Sequence, residues 1–198
     1  MTGRVRRHRF VLALAALVPA AAVAQTAAIV EAATYGTKVA PGGIVSIFGS
    51  GFTGATETAG TIPLPRRLAG VSVRAAGLEL PLFYAGPGQI NAQIPFEVPP
   101  GRQPVQILRA DGGVTTAIAD VVPAAPGVFT EDASGRWRAF AIKPDFSGRY
   151  SLTPAPVGTD RAAPGTAVVL YMTGLGVPTA GAVATGYGAA GLVHVAAP

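Results

Sequence analysis

Residues 89–94 alternate strictly between amide and apolar side chains, in the order Gln-Ile-Asn-Ala-Gln-Ile. A period of two places the amides on one face of a β-strand and the apolar side chains on the other, so one face packs and one meets water. Val105 and Ile107 show the same period before the turn-forming run Asp111-Gly112-Gly113, and Val114 opens a further apolar run. This order predicts a β-hairpin.

The remaining apolar runs after residue 24 are short, β-branched and bounded by Pro-Gly or Gly-Gly pairs, and none has a helical period. Strands spaced by about ten residues are typical of β-sandwiches. We therefore predict an all-β chain: an immunoglobulin-like β-sandwich with a second, shorter and incomplete β module. The predicted strands are Ile44–Phe48, Gly70–Arg74, Leu80–Tyr84, Ile90–Phe96, Pro104–Arg109, Val114–Val121, Arg136–Ile142 and Ala167–Met172.

Residues 1–24 have the three parts of a cleavable signal peptide. Four arginines between residues 4 and 9 precede an apolar run that ends in Ala22-Val23-Ala24. The run is shorter than the roughly 20 residues that span a bilayer. We expect a secreted product, periplasmic or extracellular, with no membrane attachment after cleavage. The Arg6-Arg7 pair leaves twin-arginine export open beside general secretion.

Charge and cysteine content narrow the possible partners. Four of the 15 basic residues belong to the signal segment, which leaves 11 basic against 10 acidic residues, a net charge of +1. No later segment combines a basic stripe with aromatic residues, so we expect no nucleic-acid partner. The chain has no Cys, which excludes disulfides, thiolate metal sites and a cysteine nucleophile.

An internal sequence repeat predicts two related modules. Ala40-Pro41-Gly42 starts an apolar run that closes on Gly49, and Ala163-Pro164-Gly165 starts a similar run that closes on Gly174. We place the first module at residues 25–122. The second, at residues 123–198, begins with a Pro-rich linker and ends in an irregular tail.

Five blocks carry a resemblance to a known family: VAPGGIVSIFGSGF, PLPRRLAGVSV, PLFYAGPGQINAQIPFEVPPG, APGVF and APGTAVVLYMTGLG. Together they resemble the Solibacter-type C-terminal domain family of exported bacterial proteins, which is similar in pattern to IPT/TIG immunoglobulin-like modules. The resemblance covers about residues 27–178. It implies an immunoglobulin-like sandwich and supplies no catalytic residues. After Gly176 the sequence departs from that pattern, which has further strands there, so we expect the second module to be truncated.

No catalytic or cofactor-binding signature is complete in this sequence. Residues 49–54 match G-x-G-x-x-G, but no helical period and no ribose-binding acid follow, so we predict a turn and loop there. His194 is the one histidine after residue 24 and lies in the predicted tail, which leaves a Ser-His-acid triad without a held imidazole. We therefore predict no catalytic residue, no cofactor and no metal.

Acidic residues offer weaker alternatives. Paired carboxylates at Glu131-Asp132, Asp145 and Asp160 are the candidates for hydrolysis, and Asp111 or Glu131-Asp132 for calcium. None of them lies in the sequence signature that such chemistry uses. We interpret them as solvated loop charges.

The candidate ligand residues are Tyr84, Gln89, Asn91, Gln93 and Trp137, since aromatic and amide side chains together suit sugar rings. Aromatic residues of a sandwich more often fill its core, which is the competing interpretation for Phe83, Tyr84, Trp137 and Phe140. We expect a non-enzymatic module for adhesion, assembly or cell-surface interaction. Its expected partners are other domains, surface proteins or polysaccharide, with a carbohydrate-binding module as the alternative function.

Overall fold

The structure is a computed structural model, and it describes residues 26–136, 139–142, 165, 169–180, 183–187 and 194–195. The predicted signal peptide therefore lies outside the described residues. Within the described ranges every regular element is a β-strand. The first ten strands are β1 (Ala28–Glu31), β2 (Lys38–Val39), β3 (Ile44–Phe48), β4 (Glu57–Thr58), β5 (Ser72–Ala75), β6 (Leu78–Glu79), β7 (Leu82–Ala85), β8 (Gln89–Gln93), β9 (Gly101–Leu108) and β10 (Val114–Val121). The remaining six are β11 (Gly127–Val128), β12 (Ala141–Ile142), β13 (Val169–Leu170), β14 (Met172–Thr173), β15 (Pro178–Ala180) and β16 (His194–Val195).

The first ten strands form two five-stranded sheets. One has the order β1-β3-β8-β7-β4, and the other has the order β2-β10-β9-β5-β6. All pairs are antiparallel except β2 with β10, where Lys38 and Val39 run parallel to Asp120 and Val121. The first two strands, β1 and β2, thus belong to different sheets, as occurs where the chain switches sheets in a sandwich.

The core lies between these two sheets. Six side chains that face each other across this core are 0% exposed: Ile47, Ile90 and Ala92 of the first sheet, and Val73, Val105 and Ile107 of the second. Complete burial of one such aliphatic side chain contributes about 1.5–3 kcal/mol. Apolar faces of both sheets meet in one cluster, and the prediction of an all-β sandwich is confirmed.

Local alternation and turn residues account for the strands that were predicted best. Ile44–Phe48 and Val114–Val121 match β3 and β10 residue for residue. In β10 every second side chain, from Thr115 to Val121, is buried. The predicted hairpin is present, since β9 and β10 pair from Leu108↔Val114 to Gly101↔Val121.

Other predicted strands are shifted. β8 is Gln89–Gln93 and not Ile90–Phe96, because Pro95 has no N–H to continue the ladder. β7 starts at Leu82, after Pro81, and β5 starts at Ser72. β9 starts three residues before the predicted Pro104.

Two short strand pairs follow the sandwich. β11 pairs with β14, and β12 pairs with β13, both antiparallel. Between β11 and β12 the chain leaves the ladder and returns at an isolated bridge from Thr130 to Ala139. The predicted strand Arg136–Ile142 is therefore wrong at its start: Arg136 belongs to a bend, and only Ala141 and Ile142 are β12.

Residues 178–180 and 194–195 also differ from the predicted irregular tail. β15 pairs with β16, joining Pro178 to Val195 and Ala180 to His194. His194 thus belongs to a short strand by its backbone. The proposed boundary between modules at residues 122 and 123 is tested by nothing in the structure and stays a prediction.

Candidate binding surfaces

The amide row lies on the outer face of β8, as its alternation predicted. Gln89, Asn91 and Gln93 are half-buried, whereas Ile90 and Ala92 point into the core at 0% exposure. The Gln89 Nε2 group donates a hydrogen bond to Asn91 Oδ1 over 2.8 Å. The two amides are therefore held in a fixed relative orientation on the sheet surface.

Tyr84 is next to this row on the neighbouring strand. Strands β7 and β8 place it directly opposite Asn91, just after a register irregularity between Leu82 and Tyr84. Its side chain is half-buried. The structure thus brings together three predicted ligand residues, Tyr84, Gln89 and Asn91, while Trp137 lies outside the described residues.

Gln93 has a different task, which sequence reasoning missed. Its Nε2 group donates to the Gly42 carbonyl over 3.2 Å, and its Oε1 atom accepts from the Gly186 N–H over 2.7 Å. Both ends of the amide are bonded within the chain. Gln93 therefore ties the C-terminal segment to the sandwich.

Further hydrogen bonds hold the same junction. The Ile44 N–H donates to Thr173 Oγ1 over 2.7 Å. Thr185 Oγ1 accepts from the Phe96 N–H over 3.1 Å and donates to Glu97 Oε2 over 2.8 Å. These bonds join residues that are far apart in the sequence, so no local pattern could have predicted them.

A cleft of about 270 Å³ opens at this junction. Its lining is mainly apolar and includes Phe83, Phe96, Met172, Leu175 and Tyr187. The Gln93 amide, which also lines it, is already hydrogen-bonded at both ends. The cleft therefore presents apolar and aromatic contact surface. Phe140, which was expected among core aromatics, is 42% exposed.

Six exposed apolar side chains lie close together in the sequence between residues 169 and 177, and we name them the apolar strip. They are Val169 (37% exposed), Leu170 (45%), Tyr171 (44%), Met172 (36%), Leu175 (37%) and Val177 (54%). Successive side chains of a strand point to opposite faces, so Leu170 and Met172 share one face and Val169 and Tyr171 share the other. Exposed apolar side chains that share a face mark interaction sites, whereas single ones are ordinary on protein surfaces. The predicted strand Ala167–Met172 covered much of this run without indicating its exposure.

The acidic candidates that the structure describes are engaged in turns. Asp111 Oδ1 accepts from the Gly113 N–H over 2.8 Å, and this bond, with nearby Arg109, lowers the pKa of Asp111. Asp132 Oδ1 accepts from the Ser134 hydroxyl over 2.8 Å, and this contact chiefly lowers the pKa of Asp132. Both carboxylates stabilise local turns.

Among the described residues, no group of three or more His, Asp or Glu side chains lies close enough to hold an ion. Asp145 and Asp160 lie outside those residues, as does the side chain of His194.

Glu31 is a buried carboxylate that sequence reasoning did not single out. It is 3% exposed and accepts hydrogen bonds from the Ala33 N–H (2.6 Å), the Thr34 N–H (2.9 Å) and the Thr34 hydroxyl (2.7 Å). These donors offset the cost of burying its charge. Glu31 therefore closes the turn that follows β1.

The glycine-rich stretch at residues 49–54 is a loop, as predicted. Phe52 is 2% exposed, and a Cβ on Gly49 would overlap its ring. Gly51 has a φ of 63°, in the region that favours glycine. The glycines thus serve backbone turning and the packing of Phe52. Among the residues that the structure describes, there is no helix long and apolar enough to cross a membrane.

No protein-family model matches the chain, and no curated protein matches it. A solved structure of an auxiliary nutrient binding protein from Bacteroides ovatus is similar over 58% of this chain, with 16% identity and a TM-score of 0.29. The match spans 26% of that protein's own length. The resemblance to the Solibacter-type family stays a prediction.

Proposed function

We propose that the protein is an exported, non-enzymatic β-sandwich module that assembles with other polypeptides through its apolar strip. The observation that carries this is the exposure of Leu170 (45%) and Val177 (54%) together with their four neighbours. Covering such side chains removes apolar area from water at about 25 cal/mol per Å².

Position supports the same function. The apolar strip begins in β13 and β14, and Thr173 at the end of β14 is bonded to β3 of the large sandwich. This bond fixes the end of β14 on the sandwich, and a segment that is already held in place has a lower ordering cost on binding. Export follows from the predicted signal peptide.

A capture experiment tests the assembly function. The purified chain is immobilised and compared with the double variant Leu170→Lys, Val177→Lys, using proteins exported by the source cells as the sample. A control variant, Ile62→Lys with Ile118→Lys, alters exposed apolar side chains elsewhere, at 73% and 49% exposure. We expect one defined set of proteins to bind the parent and the control and to be lost with the strip variant. Equal capture by all three chains would overturn the proposal.

Two measurements test export and the absence of catalysis. N-terminal sequencing of the exported product is expected to give Gln25 as the first residue. A product that still begins with Met1 would contradict cleavage of a signal peptide. Purified chain is expected to hydrolyse generic glycosidic and ester substrates at the rate of buffer alone. A reproducible rate above buffer would make the protein an enzyme.

Carbohydrate binding is the second candidate, favoured by Tyr84 opposite Asn91 and by the Gln89–Asn91 hydrogen bond. A glycan array with tryptophan-fluorescence titration tests it, comparing Asn91→Ala with the control Gln106→Ala on the exposed face of β9. Binding that falls at least about tenfold for Asn91→Ala alone would support this candidate. Silence on every polysaccharide would retire it.

A further inference from the structure

The strand pair β11–β14 repeats the strand pair β1–β3 in register. In the sandwich, Ala28 is opposite Phe48, the residue immediately before Gly49. In the second segment, Gly127 is opposite Thr173, the residue immediately before Gly174. Both pairs are antiparallel, and each involves the sequence run that follows an Ala-Pro-Gly triplet.

The second glycine after each strand also corresponds. Two residues after Gly49, Gly51 has a φ of 63°, and two residues after Gly174, Gly176 has a φ of 84°. Both segments therefore turn in the left-handed region at this glycine, while the preceding glycines differ, since Gly174 has a φ of 76° and Gly49 has no positive φ. Residues 169–173 are thus the structural counterpart of β3.

The counterparts differ sharply in exposure. Val45 and Ile47 of β3 are 1% and 0% exposed, because neighbouring strands and the facing sheet cover them. At the matching positions, Leu170 and Met172 are 45% and 36% exposed. The same strand position is thus covered in one module and open in the other.

One edge of residues 169–173 is occupied. The Tyr171 N–H donates to the Phe140 carbonyl over 3.2 Å, and the Tyr171 carbonyl accepts from the Phe129 N–H over 3.0 Å. Successive peptide groups in a strand point to opposite edges, so those of Leu170 and Met172 point the other way. In the part of the chain that the structure describes, no strand pairs with that second edge.

The sandwich shows what occupies the matching edge of β3. There β8 pairs antiparallel, with Ile90 opposite Ile47 and Ala92 opposite Val45. These cross-strand pairs put apolar side chains side by side on the core face. The corresponding edge of the second segment offers Met172 and Leu170 in the same positions.

We propose that this second edge binds an extended segment of another polypeptide by strand addition, as β3 binds β8. The partner segment runs antiparallel to residues 169–173 and alternates polar and apolar side chains like Gln89–Gln93. Main-chain hydrogen bonds supply affinity, and apolar side chains beside Leu170 and Met172 supply selectivity. This inference rests on the proposed assembly function and names the chemistry of its partner.

A peptide with the sequence of residues 88–96 is the probe, labelled with fluorescein and titrated with the purified full chain by fluorescence anisotropy. In the sandwich, the Ile94 N–H donates toward β3, to Gly43, whereas the Gln93 N–H donates toward β7, to Pro81. By alternation, the N–H groups of Ile90 and Ala92 also point toward β3. N-methylation at those two amides therefore blocks the ladder, and N-methylation at Asn91 and Gln93 spares it.

We expect the unmodified peptide and the Asn91/Gln93-methylated peptide to bind alike. The Ile90/Ala92-methylated peptide should bind at least about tenfold more weakly, because it loses two main-chain hydrogen bonds to the strand. Leu170→Lys with Met172→Lys should weaken binding of the first two peptides, which separates this edge from displacement of β8 itself.

Other outcomes separate this inference from the assembly function. Equal binding by both methylated peptides would overturn strand addition while leaving the apolar strip as an assembly surface. Absence of any peptide binding, with capture of exported proteins still dependent on the strip, would do the same. Unchanged peptide binding by the double-lysine variant would place the peptide elsewhere and also overturn it.

Discussion

The hydroxyl oxygen of Thr173 accepts a hydrogen bond from the backbone N–H of Ile44, 2.7 Å away and 129 residues earlier in the chain. Ile44 is the first residue of β3, and Thr173 is the last residue of β14. Thr173 is only 6% exposed, so water has little access to this bond. One side chain thus joins the large sandwich to the segment that carries the apolar strip.

Replacing Thr173 with Val removes this acceptor while keeping a β-branched shape. We expect the free energy of unfolding to fall by about 1–3 kcal/mol, because the Ile44 N–H loses its partner in a poorly hydrated place. Urea denaturation followed by circular dichroism measures the change. Thr173→Ser keeps the hydroxyl and should retain most of the stability, so equal losses for Val and Ser would contradict this role.

Gly174→Ala should destabilise the junction more than Gly77→Ala destabilises its turn. Both glycines have positive φ, 76° and 79°, so a Cβ costs each about 1–2 kcal/mol. At Gly174 the added Cβ would also overlap the backbone oxygen of Ala125, whereas at Gly77 nothing lies within 4 Å. Overpacking adds about 1–3 kcal/mol. Thermal melts of the two variants measure the difference. Identical melting temperatures would show that the backbone at Ala125 shifts to accommodate the added Cβ without a measurable loss of stability.

Ile90→Ala is expected to lower the free energy of unfolding by about 2–5 kcal/mol, since Ile90 is 0% exposed and leaves a cavity between the sheets. Ile118→Ala is the matched control on the solvent face of β10, at 49% exposure. It should change stability by less than about 0.5 kcal/mol. Chemical denaturation of both variants decides the matter, and comparable losses would mean that the sheets do not enclose Ile90.

The hairpin turn between β9 and β10 should weaken in acid. The Gly113 N–H and Arg109 lower the pKa of Asp111, so its folded pKa lies below its unfolded one. Its contribution to stability is therefore present above the unfolded pKa and lost as pH falls through the folded pKa. An NMR titration of the Asp111 carboxyl carbon, native and in urea, measures the two midpoints. Coincident midpoints would contradict the role of the Gly113 hydrogen bond.

Strands whose own residues alternate between apolar and polar side chains could be predicted from the sequence. Strands that exist only because they pair with a neighbouring strand could not. Residues 44–48 and 114–121 carry enough local pattern to be found with correct bounds. The two-residue strands β2, β4 and β6 have no period of their own and exist because a neighbour supplies the ladder. The predicted strand over residues 136–142 began too early. Arg136 still belongs to the bend that lies between Thr130 and Ala139, which pair with each other in an isolated bridge.

The candidate ligand residues show the same division. The amide face of β8 follows from a period of two, and the pairing of Gln89 with Asn91 lies within one strand. The contact of Gln93 with Gly186 joins positions 93 residues apart, which no local pattern reveals.

Alternation and turn chemistry by themselves determined the all-β class, the inward face of each long strand and the row of amides on β8, because these depend on neighbours one or two residues away. Tertiary structure alone decided that Leu170 is open while its counterpart Val45 is covered. The two sequence runs are similarly apolar, so what distinguishes the core position from the exposed one is whether strands of the described part of the chain pack against it.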